Sequence, residues 1–172
     1  TEGNTAEAIL ALNTAIDLKP KDETAYRELA GLHMTRATER QREAQLLQVR
    51  ALFRAPSQGF PSLVGSSGQS VFPDEIGSAV TTEASTQINQ ALQDAQTEAT
   101  LAVDAYKRLV ALQPHDPNVQ LELAQAAQQV GDAATAITAY ETFLKLAPDD
   151  PSAGVVRQQL KQLRAALASS SG

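Results

Sequence analysis

Between Gly131 and Pro151 the chain reads GDAATAITAYETFLKLAPDDP, and between Gly3 and Asp22 it reads GNTAEAILALNTAIDLKPKD. Both stretches open with Gly and a small polar residue, run through Ala, Ile and a large apolar residue, and close on Leu-x-Pro. A third phrase, AVDAYKRLVALQP, ends at Pro114, 34 residues before the Pro148 that closes AITAYETFLKLAP. In all three a small residue begins the face (Ala8, Ala102, Ala136). A larger one follows a helical turn later (Leu12, Tyr106, Tyr140), and then come Ala15, Leu109 and Phe143. A 34-residue period with this pattern is that of helix-turn-helix units stacked into a solenoid.

Composition agrees. The 172 residues are rich in Ala, Leu and Gln and hold no Trp, three Tyr and four Phe. Ala and Gln favour helix, and apolar residues recur at spacings of three and four with almost no alternating runs. The expectation is an all-α chain. A formal charge of −6 argues against a general nucleic-acid binder, which needs a basic footprint. No run of about 18 apolar residues occurs, so no membrane span is expected within these residues, and no signal peptide is visible. The absence of Cys removes disulfides, thiolate metal sites and thiol nucleophiles.

With the period and its residues in place, the chain resembles a tetratricopeptide repeat protein. The best-matching unit is Pro117 to Asp150. Leu123, Ala124 and Ala127 sit where that family places the packing residues of its first helix, Gly131-Asp132 occupies the turn, and Ala136, Tyr140 and Phe143 fall on the second helix, which Pro148 ends. The departure is Gln120, where the family prefers a large aromatic. Each residue type also has a physical reason. Ala lets helix axes approach to the short end of the range of about 8–10 Å. Gly131 tolerates the left-handed backbone that ends a helix, and Pro148 cannot continue one.

Pro20 and Pro114 are 94 residues apart, one period plus 60. A regular first helix beginning near Glu23, with Tyr26, Leu29, Ala30 and His33 on its packing face, should end near Arg36. Instead ATERQREAQLLQVRALF continues helically to about Arg54. The second helix should begin near Glu98, but helical pattern starts near Val80, with Ala84, Ile88, Ala91, Ala95, Ala99 and Ala102 on one face. Ala37–Arg54 and Val80–Thr97 are thus equal extensions, as an antiparallel hairpin requires. At about 1.5 Å per residue they would project about 27 Å. The first arm, counted from Arg36, carries Arg36, Arg40, Arg42, Arg50 and Arg54 against Glu39 and Glu43, and the second carries Glu83, Asp94 and Glu98, which suits their pairing, although each exposed ion pair contributes only about 0–1 kcal/mol.

The organisation expected is therefore an α-solenoid in parts. Residues 1–22 supply the second helix of an incomplete repeat. Residues 23–116 form a repeat interrupted by the hairpin, with long helices over about 23–54 and 80–113 and a loop tip at 55–79. Residues 117–150 are a complete repeat, 151–168 a C-terminal capping helix, and 169–172 a tail. The helix before Asp22 lacks its partner first helix, so Ile9, Leu12 and Ile16 should form an uncovered apolar stripe. That points to a longer chain or a covering subunit. The capping helix offers Gly154 and Arg157 where packing residues are expected. The tip is rich in Gly, Ser and Pro yet carries Phe60, Leu63, Val64, Val71, Phe72 and Ile76, which either fold back or face a partner.

No chemistry-bearing constellation appears. His33 and His115 are the only histidines, and neither has a carboxylate or second His at ligand spacing in the sequence. There is no nucleophile elbow and no phosphate-cradling loop, so no metal, cofactor or catalytic residue is expected. The acids of PHDP and PDDP suit helix N-termini. The family resemblance implies protein or peptide binding on the inner face of the first helices. Here that face offers Arg27, Gly31 and Met34 in the interrupted repeat, and Leu121, Gln125, Gln128 and Gln129 in the complete one. Gly31 and Gln125 stand where relatives that grip a C-terminal carboxylate carry Asn. The reading is a non-enzymatic protein–protein interaction scaffold or assembly subunit that binds a protein, a peptide or its own copy. The alternative is a chaperone-like binder of extended segments. Low Lys, the Gln/Ala/Ser bias and absent Cys point to a bacterial cell envelope, with membrane attachment through an upstream segment and the cytoplasm as the alternative.

Overall fold

The computed structural model describes residues 2–54 and 74–170, which are helical apart from the turns between helices. Six helices follow one another among the described residues: α1 (Glu2–Leu18), α2 (Glu23–Arg54), α3 (Asp74–Leu112), α4 (Pro117–Gln129), α5 (Ala133–Leu146) and α6 (Ala153–Ser170). The one boundary that departs clearly from expectation is the start of α3, at Asp74 rather than Val80. Ile76, read as part of the tip, is therefore helical.

Aspartates cap or precede α2, α4, α5 and α6. Asp22, Asp116 and Asp132 accept the backbone N–H of Ala25, Asn118 and Thr135 at 3.1, 2.8 and 3.0 Å. Asp150 accepts that of Ser152 at 2.7 Å just before α6. The α4–α5 turn is closed from the other side by Gly131, whose φ is +78°. The Asp132 N–H reaches the Ala127 carbonyl at 2.9 Å and the Gly131 N–H reaches that of Gln128 at 3.2 Å. This pair of bonds is the Schellman closure, which satisfies carbonyls left over at a helix end.

The chain divides into two compact units. The first comprises Thr1–Arg36 and Gln96–Gly172. Its core gathers Val103, Leu123, Ala124, Ala127, Ala136, Tyr140, Phe143, Val156 and Leu160. A second cluster of Leu29, Ala30 and Ala105 packs against Ile9, Leu12 and Ile16, and Tyr106 touches both clusters. The stripe expected to lie open on α1 is thus half-buried by α2 and α3. Ala30 and Ala105 present no bulk there, so α1 comes close enough to cover itself. The exposed large apolar residues of α1 are instead Leu10 and Leu18. Helix α6 packs through Ala153, Val156, Leu160 and Leu163, while Gly154 is exposed and Arg157 donates to the Pro148 carbonyl at 2.8 Å. The helix is rotated so that an apolar stripe, and not the poorly suited 154/157 pair, meets α5.

The second unit is Ala37–Ala95. Its described buried residues are all alanines: Ala37, Ala44, Ala91 and Ala95. On α2 from 37 to 51 the buried and half-buried positions are 37, 38, 40, 44, 47 and 51, and on α3 from 82 to 95 they are 84, 88, 91, 94 and 95. Thr38 and Asp94 apart, both series step alternately by three and four, the pattern of a coiled-coil seam.

Gln120, at the position where a large aromatic was expected, is only 5% exposed. Its amide donates to the Pro114 carbonyl at 3.3 Å, which satisfies a buried polar group and ties α4 to the preceding turn.

Candidate functional site

The two helices expected to form a binding face, α2 and α4, are joined by a polar network in the first unit. Arg27 of α2 donates from Nη1 to Glu122 Oε1 of α4 at 2.9 Å, lies 3.6 Å from Asp116 Oδ2, and donates from Nη2 to Gln113 Oε1 at 3.5 Å. Gln113 in turn donates to Glu23. One guanidinium thus bridges α2, the turn between α3 and α4, and α4 itself, as its forked geometry permits. Arg27, expected as a ligand-facing cation, is first a clasp between successive first helices.

Glu122 is the strained member of that network. Its Oε2 is enclosed and has no hydrogen-bond partner among the described residues. Burial pushes its carboxyl above the usual glutamate range, Arg27 opposes the shift, and the neighbouring Asp116 adds to it. Tyr106 is pushed up for related reasons, by burial first and then by the charge of Glu122. Tyr140 donates from its hydroxyl to Gln128 Oε1 at 2.8 Å, and burial raises it as well. Asp132 moves the other way. Its bonds from Thr135 hold it below the usual aspartate range, and Lys107 lies 3.6 Å away.

The remaining residues expected on this face separate into two groups. Met34 and Leu121 are half-buried and pack against the core, so they shape the surface from beneath. Gln125 and Gln129 are exposed, and Gln128 is exposed except that its amide oxygen holds Tyr140. Gly31 has open space where a side chain would sit. Of the expected tip residues, Phe60, Leu63, Val64, Val71 and Phe72 lie outside the described residues, as does the side chain of Ile76.

A second polar group escaped sequence reading. His33 is 6% exposed, and its Nδ1 lies 2.6 Å from Glu98 Oε2, while Arg36 lies 3.2 Å from Glu98 Oε1. The carboxylate that His33 lacks in sequence is brought to it by α3. Both networks pair residues far apart in the chain, 95 positions for Arg27 with Glu122 and 65 for His33 with Glu98. The charge pattern of the arms was the available signal for Arg36 with Glu98; nothing comparable marked Glu122.

Among the described residues no group of three or more His, Asp or Glu is placed to hold a metal ion, and no helix is long and apolar enough to cross a membrane. Residues 89–161 match the family described as tetratricopeptide repeat. The match runs from within α3 through α4 and α5 into α6. No curated protein matches the chain.

Proposed function

We propose that this chain, similar over residues 89–161 to the tetratricopeptide repeat family, is a non-catalytic scaffold that binds a protein or peptide partner on the surface formed by α2 and α4. Tetratricopeptide repeats generally mediate protein–protein interaction. The observation that carries the reading to this surface is its division of labour. Arg27 and Glu122 hold the two helices together, Met34 and Leu121 support them from below, and Gln125 and Gln129 remain exposed. An exposed amide row can donate to and accept from a peptide backbone, which favours an extended segment over a strongly charged one.

The test is co-purification from native extract with the intact chain and with Gln125→Glu/Gln129→Glu. The expected result is one partner recovered at stoichiometric level and lost with the double substitution while helicity stays unchanged. A partner retained by the variant would move the site off α4. Many unrelated partners, held equally by both, would favour the chaperone-like alternative.

A further inference from the structure

The second unit carries an apolar strip that its own described helices leave open. Leu46 is 70% exposed and Val49 is 49% exposed on α2. With Leu47, Glu39, Arg42, Glu43 and Arg50 they line one open surface of that helix. Glu43, Leu46, Leu47 and Arg50 follow at intervals of three, one and three, which places them on one helical face. This face is distinct from the alanine series at 37, 44 and 51, although Leu47 lies at the edge of both.

We infer that this face of α2 docks against the same face of a second copy of the chain, antiparallel and about a two-fold axis passing between Leu46 and Leu47. The charges select that occupant and that direction. In the antiparallel arrangement Leu46 meets Leu47 of the second copy, and Glu43 meets Arg50 of the second copy. The two-fold repeats both contacts, as an isologous interface requires. A parallel arrangement would set Glu43 beside Glu43 and Arg50 beside Arg50, which is repulsive at both ends. Within α2, Glu43 already receives Arg40 at 2.7 Å, so it meets Arg50 as a carboxylate shared between two cations. Arg50 has no Asp or Glu three or four residues away on its own helix, so the second copy supplies the complement its helix does not. The strip is short, and the dimer it builds is weak and concentration-dependent. Pairing two copies doubles the binding surfaces carried by one assembly, and so raises avidity without any new partner contact. The inference rests on the second unit alone and stands or falls independently of the partner surface on α2 and α4 of the first.

Sedimentation equilibrium over a range of concentrations tests it on the intact chain. The wild type is expected to dimerise reversibly, more weakly as salt rises. Leu46→Glu, at an exposed position that the fold does not need, is expected to weaken the dimer about tenfold or more at unchanged helicity. Glu43→Arg and Arg50→Glu are each expected to weaken it several-fold, and the double variant E43R/R50E to restore it, because reversal of both charges rebuilds the pair. A chain that stays monomeric overturns the inference and leaves a segment of the same chain or another protein as the occupant. A dimer indifferent to Leu46→Glu, or singles that the double variant does not rescue, overturns it equally.

Discussion

The α4–α5 hairpin and the second unit are both helical, yet they are held by opposite means. In α4–α5 fully buried alanines at positions 124, 127 and 136 share one core cluster with Tyr140 and Phe143, exposed by 0% and 1%. In the second unit alanines do the close packing, and no large side chain is buried among the described residues. Where several helices converge, small residues at the contacts leave gaps that large residues must fill to reach interior density. Where only a seam must be closed, small residues suffice, but each removes little apolar surface from water. The same composition bias therefore makes a firm core in one region and a thin one in the other.

That contrast can be broken by substitution. Phe143→Ala is expected to have the largest effect, a loss of about 3–5 kcal/mol in urea unfolding followed by circular dichroism, because it empties the centre of the larger core. If it costs under about 1 kcal/mol, the assignment of the core is wrong. In the second unit the converse change is informative. Ala44→Leu puts bulk into a seam built for none and should cost about 1–3 kcal/mol, seen as faster amide exchange over 37–54 with 117–146 unchanged. Even without substitution, amides in 37–54 are expected to exchange faster than those of α4 and α5, since fewer large side chains hold them.

Smaller effects sharpen the picture within the first unit. Asp132→Ala removes the cap of α5 and should cost about 0.5–2 kcal/mol near neutral pH. Because this carboxyl is held below its ordinary range, its contribution is present above the unfolded pKa and is lost as pH falls through the lower folded value. Thermal unfolding of wild type and variant should therefore converge in acid. Glu122 has the opposite sign. Its carboxyl is raised by burial, so the charged form is the less favourable one in the folded chain. Stability falls as pH rises from the ordinary glutamate value through the raised one. Glu122→Gln is expected to give a small gain in melting temperature at neutral pH that vanishes below the ordinary glutamate range. Gly31→Ala should stabilise by about 0.5–1 kcal/mol, because a helix-interior glycine is replaced where nothing obstructs a methyl group. A loss of stability there would mean that the face is closed by something other than solvent.

The repeat was legible because proline and glycine mark its ends at a fixed period and alanine marks its close contacts. Those signals are local, and α4 and α5 begin and end where they say. The start of α3 departs from expectation because Gly77 and Ser78 resemble a loop in the sequence, whereas both lie within the helix. The α1 stripe was misread for a different reason. Its cover comes from Leu29, Ala30 and Ala105, which belong to helices on either side of a long insertion.

What the sequence determined by itself was the helical period, the turns, the alanine contacts and the all-helical class of fold, since each depends on residues within one or two turns of each other. What only the tertiary structure decided was the set of pairings among distant polar groups. Arg27 with Glu122 and His33 with Glu98 exist because packing brings together helices that the insertion holds far apart in the chain. Tertiary packing also decided which apolar residues stay outside. A helix records its hydrophobic faces in its sequence, but which face is covered depends on the neighbours that the fold supplies.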